Sequence, residues 1–206
     1  MTDARSESYG GALDVYFSPL NIPKVAADRR PLGERYWTYN GRPPGAGSMI
    51  LDTEGVALRT WGWIAERYDI ELWYAWEGLY FSDRYNHGGR TDVMVDPVTF
   101  DERSRGGSDW GNGDGLLAYP GPLASLRLKA LRRGLQDRLL LRELGRCGAA
   151  DEARRIVRRV VPRALGEAAA TDAPSWSVEE PVWESARREV LDAIERQCDG
   201  PRALAE

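Results

Sequence analysis

Histidine is nearly absent from this 206-residue chain: there is one, His87. That scarcity excludes multi-histidine metal centres and leaves any histidine-based triad dependent on one residue in a polar stretch, where it reads as a solvated loop side chain. Cysteine is almost as rare. Cys147 and Cys198 are too few and too distant in sequence to suggest a metal cluster or a disulfide framework. No run of apolar residues approaches the length of a membrane-spanning helix. The start, Met1 to Ser8, has no apolar core of the secretory type, so the default expectation is a cytoplasmic protein. An excess of basic charge is missing too. Lys plus Arg total 28 against 32 Asp plus Glu, a net charge of -4, and nothing in that balance marks a surface for nucleic acid or an anionic membrane.

What the chain has in quantity is aromatic residues: eight Trp and nine Tyr. Trp37, Trp61, Trp63, Trp73 and Trp76 fall between residues 36 and 80, with Tyr36, Tyr39, Tyr68, Tyr74 and Tyr80. Trp and Tyr combine large packing area with a polar tip. Their concentration suggests either a heavily packed core or a wall for a flat ligand.

Three short apolar runs predict strands: Leu13 to Phe17, Tyr36 to Tyr39, and Ile70 to Trp76, each closed by Ser, Gly or Pro. Between the second and third, Leu58, Trp61, Ile64 and Ala65 recur at helical spacing over residues 56–67. Strand, helix, strand is a crossover unit and predicts a parallel pair with the helix on one face. Residues 82–114 are polar and glycine-rich, a long loop region. A short strand at Leu116 to Tyr119 leads to a helix capped by Ser125, with Leu128, Leu131, Leu135 and Leu139 as its apolar stripe. Two further helices come next, one carrying Ile156, Val157, Val160 and Val161 before Pro162, the other carrying Ala186, Val190, Ala193 and Ile194.

The segment Gly113-Asp114-Gly115-Leu116-Leu117-Ala118-Tyr119-Pro120-Gly121 resembles a signature near the end of the catalytic domain of glycoside hydrolase family 123. Residues Ser125 to Asp137 are similar to the stretch after that signature in the family, and Trp73-Tyr74-Ala75-Trp76 resembles the aromatic strand that ends its barrel. The Asp52, Arg59 and Trp61 spacing and the closing-helix motif at Ser185 to Val190 extend the likeness from about residue 13 to 197. The resemblance implies an α/β chain forming the C-terminal part of a (β/α) TIM-type barrel, followed by C-terminal helices. The expected organisation is a flexible N-terminus (1–11), barrel strands and helices (12–145), a terminal helical segment packing on the barrel (146–200) and a tail (201–206).

Members of that family cleave N-acetylhexosaminides by a substrate-assisted route, in which the substrate's acetamido group attacks the anomeric carbon and an adjacent Asp-Glu pair orients it and donates the proton. That departs from the two-carboxylate scheme of most glycosidases. In the family the pair sits at the end of an earlier barrel strand, N-terminal to everything matched here. Asp101-Glu102 follows Phe100 in the polar region and reads as a solvated loop pair; Asp151-Glu152 opens a helix and suits its N-terminal dipole. The expectation is therefore no catalytic residue in this chain and no activity alone, with the opening strands supplied elsewhere, as in a gene fragment or a split enzyme with a second chain. The alternative is a non-catalytic carbohydrate-binding or interaction remnant. No cofactor or metal is implied: Asp109 to Asp114 lacks the ligand spacing of a calcium loop.

In such barrels the strand ends and the loops after them face the ligand. That rule selects Tyr39, Trp76, Glu77 and, in the polar loop, Trp110 as carbohydrate-contacting residues. Trp76 offers a flat face to a sugar ring or packs as ordinary barrel filling; Trp110 anchors a sugar loop or sits in a glycine-rich turn. Glu77 can accept sugar hydroxyls or pair with Arg84 or Arg90. The arginine pairs at 154–155 and 158–159 read as a solvated helix face.

Overall fold

A computed structural model of the protein describes residues 14–17, 33, 35–81, 92–95, 111–121 and 123–198. Three strands form one parallel sheet in the order β1 (Val15–Phe17), β2 (Arg35–Tyr39), β3 (Leu72–Tyr74). A 3-10 turn, Ala57–Arg59, runs into α1, Thr60–Arg67, and supplies the crossover between β2 and β3 that the residue pattern predicts. The third strand is shorter than its apolar run. The Ile70 N–H is taken by Ala65 O at the end of α1, and the Trp76 N–H by the Asn40 side chain, so neither joins the ladder. The short strand after residue 116 does not extend this sheet. Ala118–Tyr119 (β4) pairs antiparallel with Leu123–Ala124 (β5) in a separate hairpin.

Alternation along the strands gives the sheet two unlike faces. Tyr36 and Thr38 on β2 are buried and Trp73 on β3 partly so, on the side of α1. Trp73 stacks on Trp61 with ring centroids 4.9 Å apart. The opposite face carries Phe17, Trp37, Tyr39, Leu72 and Tyr74. Phe17 stacks on Tyr39 at 5.0 Å, yet Phe17 and Tyr74 remain about half exposed, at 48% and 49%. Parallel sheets are ordinarily covered on both sides; among the described residues, only the helix side is covered here.

The hairpin leads into α2, Leu126–Leu144, whose Ser125 side chain accepts the Leu128 N–H at 3.0 Å as the cap that the sequence predicts. Its expected apolar stripe is half wrong. Leu128 and Leu131 pack inward, but Leu135 and Leu139 lie in solvent, and the buried face is Gly134, Asp137, Leu141 and Leu144. The reason is a backbone-to-backbone crossing of α1 and α2. A Cβ on Gly62 would stand 1.9 Å from Gly134 O, and one on Gly134 would stand 2.3 Å from Arg59 O. That contact sets the rotation of α2, and its leucines turn with it.

A kinked turn, Gly145–Ala149, with Gly148 at φ 87°, connects α2 to α3, Ala150–Val160, which ends ahead of Pro162 as expected. The last helix, α4 (Glu180–Cys198), buries Trp183, Ala186, Val190 and Ala193. One hydrophobic cluster joins Tyr36, Trp63 and Ile64 to Ile156, Val160, Trp183 and Val190, so the terminal helices share a core with α1 and β2. The charged part of that core centres on Arg59, 1% exposed, whose guanidinium donates to Asp137 (2.7 Å), Glu180 (2.7 Å) and Glu184 (2.7 Å). Asp137 also accepts from Trp63 Nε1 and Arg187. Three acids and three arginines, counting Arg133 on Glu184, are thereby matched.

The expectation for the cysteines is overturned. Cys147 in the kinked turn and Cys198 at the end of α4 form a disulfide, Cα atoms 5.2 Å apart. Folding α3 and α4 back along α2 removes a 51-residue separation that the linear sequence does not reveal. No described helix is long and apolar enough to cross a membrane.

Candidate functional site

The C-terminal ends of β2 and β3 meet at Asn40. Its backbone is left-handed, φ 35°, a conformation that Asn tolerates better than most residues. Its N–H bonds Tyr74 O (3.0 Å) and its carbonyl accepts Trp73 Nε1 (2.9 Å). The side-chain amide then grips the Trp76 backbone on both sides of its Cα: Oδ1 accepts the Trp76 N–H at 2.7 Å, and Nδ2 donates to Trp76 O at 2.9 Å. Nδ2 also reaches Asp114 Oδ1 at 3.4 Å.

Asp114 is brought there by a turn between two glycines. Gly113 and Gly115 both have φ near +80° (81° and 78°), and both are crowded. A Cβ on Gly113 would lie 2.7 Å from Leu51 Cγ; one on Gly115 would lie 2.9 Å from Tyr80 Cβ and 3.2 Å from Glu77 N. Only glycine satisfies both demands. Arg127, on the first turn of α2, fastens the turn by donating to Gly113 O (2.7 Å) and Met49 O (2.5 Å). Burial holds its pKa below the usual arginine value, the Tyr119 and Asp114 charges opposing that shift.

A cavity of about 630 Å³ opens beside this junction, lined by Tyr39, Asn40, Arg42, Ser48, Ile50 and Asp114 among others. Of the residues selected from sequence, Tyr39 lines it directly. Trp76 sits half-buried next to it with its ring 5.5 Å from that of Tyr80, and Glu77 is exposed one residue further on. Trp73, on the opposite face of β3, packs into the core as its alternation with Trp76 predicts. Trp110, Asp101, Glu102 and His87 lie outside the described residues, as do Arg84 and Arg90. The stretch from Gly41 to Ile50 forms much of the wall, although in sequence it reads only as a stop signal. Its one clue is the density of Gly and Pro; the Pro43-Pro44 bond within it is cis.

A second cavity, about 580 Å³, lies where α1, α2 and α3 meet, at the opposite end of β3. It is lined by several arginines, but Arg67, Arg142, Arg146 and Arg154 each hold a carboxylate: Glu167, Glu66, Glu143 and Asp151. It belongs to the paired surface of the helical layer.

The family model of the glycoside hydrolase 123 catalytic domain matches residues 12–144. The chain belongs to that family. Residues 12–144 take in β1 to β5, α1, α2 and every cavity-lining residue named above for the strand-end site. A comparison with curated proteins found no match. Among solved structures, the chain is similar to a family 123 glycoside hydrolase from Clostridium perfringens, described for glycolipid glycan hydrolysis, with a TM-score of 0.57 and 13% identity. The alignment covers 98% of this chain and 35% of that enzyme. At that identity the likeness is one of fold. The family 123 chain thus spans about a third of the length of its solved relative, and α3 and α4 fall within the shared fold although they lie beyond the family model.

Proposed function

We propose that this chain forms the closing part of a (β/α) barrel that binds and cleaves glycosides of N-acetylhexosamines by the substrate-assisted route, and that it turns over nothing by itself. The observation that carries the reading is the convergence of the β2 and β3 ends with the Gly113–Gly115 turn on one cavity, within the region matched to a glycoside hydrolase catalytic domain. In this reading Tyr39 and Trp76 offer aromatic surface to the sugar, Glu77 accepts hydroxyl hydrogen bonds, and Trp110 approaches from the polar loop. The acid pair that orients the acetamido group belongs to the remaining strands, carried by a longer form of this polypeptide or by a second chain. Those strands also cover the bare face of Phe17, Trp37, Tyr39, Leu72 and Tyr74. The 35% share of the solved relative supports this division.

The competing reading keeps the sugar wall and drops the chemistry, leaving a carbohydrate-binding remnant. An assay on a chromogenic N-acetylgalactosaminide separates the possibilities. The isolated chain is expected to be inactive, and activity is expected on adding a polypeptide that carries the remaining strands. Hydrolysis by the isolated chain that Glu77→Gln abolishes refutes the proposal, because the acid would then lie in this chain. Sugar binding with no turnover even in the completed assembly favours the remnant. As to compartment, a cytoplasmic setting would keep Cys147 and Cys198 reduced, so the redox state of that pair in cells decides that expectation.

A further inference from the structure

Asn40 stands at the end of β2 in a left-handed conformation that suits its residue type, and its bonds give it a further task. We infer that Asn40 is a positioning residue that holds Trp76 in the orientation a sugar ring would meet; the inference rests on the reading of Trp76 as a ligand wall. Trp76 lies beyond β3 where the ladder has ended, and its N–H and C=O have both left the sheet for one side chain, at 2.7 and 2.9 Å. A primary amide carries its acceptor and its donor on two separate atoms, so it can accept from an N–H and donate to a C=O at two places at once. Aspartate keeps the acceptor and sets a negative charge against the Trp76 carbonyl; alanine leaves both peptide groups without this partner. The same residue is itself anchored from three sides, by Tyr74 O, Trp73 Nε1 and Asp114, so the grip is rigid rather than incidental. Trp73 is stacked on Trp61 in the core, so its bond to the Asn40 carbonyl ties Asn40 to the packed layer. Bonds to both backbone groups fix the direction in which the Trp76 side chain leaves the chain, and the Tyr80 ring lies against the indole. A side chain so placed loses less freedom on meeting a ligand, which is how pre-organisation strengthens binding.

The test is 19F NMR on the full chain labelled with 5-fluorotryptophan, the Trp76 line being assigned by Trp76→Phe. Asn40→Asp is expected to shift or broaden that line while the lines of buried Trp61, Trp63 and Trp183 stay in place, a pattern that general loosening of the fold would not give. An unmoved Trp76 line overturns the inference. Should Asn40→Asp fail to fold, hydrogen exchange on the unaltered protein takes its place: the Trp76 N–H must exchange more slowly than the neighbouring Glu77 N–H, and equal rates overturn the inference. N-acetylgalactosamine is then added as the probe. A Trp76 line that answers the sugar in the wild type and only weakly in Asn40→Asp supports positioning for binding. Equal responses in both overturn it. No response in the wild type overturns the wall reading itself and with it this role for Asn40.

Discussion

Breaking the Cys147–Cys198 bond opens a loop whose ends are 51 residues apart and which contains α3, the extended segment after it and all of α4. In the chain-entropy treatment, a cross-link at that separation stabilises by roughly 4 kcal/mol at 25 °C, because it removes conformations from the unfolded chain. For a protein of this size each kcal/mol moves Tm by roughly 2–4 °C, so reduction should lower Tm by about 8–16 °C. The native contacts should survive. Trp183, Ala186, Val190 and Ala193 remain buried against α1 and α3 whether or not the sulfurs are joined. The measurement is a pair of thermal melts, with and without a reductant, on protein whose oxidation state is verified by mass after alkylation. Cys147→Ser, Cys198→Ser and the double variant should each reproduce the reduced curve. Identical melts for fully oxidised and fully reduced protein would refute the reasoning, since the cross-link would then leave the unfolded ensemble no smaller.

Asp137→Ala leaves Arg59 and Arg187 without their buried carboxylate and Trp63 Nε1 without its acceptor; the expected cost is about 3–5 kcal/mol, seen as a lower urea midpoint. Gly62→Ala drives a methyl into Gly134 O and should destabilise by at least ~1–3 kcal/mol, whereas Ala at the partly exposed Gly145 should be tolerated. Burial, reinforced by a hydrogen bond to Glu167, pushes Tyr68 up to about 12. Its neutral form is favoured in the folded state, so the contribution, about 3 kcal/mol, is complete below pH 10 and is lost as pH rises from 10 to 12. Alkaline unfolding in that window should be shallower in Tyr68→Phe, and an unchanged profile would count against this role for Tyr68.

Local signals carried over to three dimensions where the chemistry is itself local. Ser125 caps α2 because the N-cap hydroxyl and the helix amide that it accepts lie three residues apart in the chain. The 113–121 segment is recognisable because Gly113 and Gly115 occupy left-handed positions against close neighbours. Leu135 and Leu139 misled because the rotation of α2 is decided by Gly62, more than 70 residues earlier in the chain. The cysteines misled for the same reason. At the strand ends, alternation placed Trp73 on the packed face of β3. Nothing in the residue order announced that Gly41 to Ile50 would wall the cavity, since that role depends on Thr60 Oγ1 accepting the Gly47 N–H and Gly47 O accepting Trp61 Nε1.

The matching of Arg59 with acids from α2 and α4 makes the segment after residue 145 something other than an appendage. A version of this chain ending there would keep every strand and the cavity wall, yet it would strip Arg59 of two of its three carboxylate partners and leave both Arg59 and Trp63 without the cover of Trp183. The sheet and its last helix therefore stand or fall together, and a shortened gene product should be recovered as insoluble or protease-sensitive material rather than as a smaller folded unit.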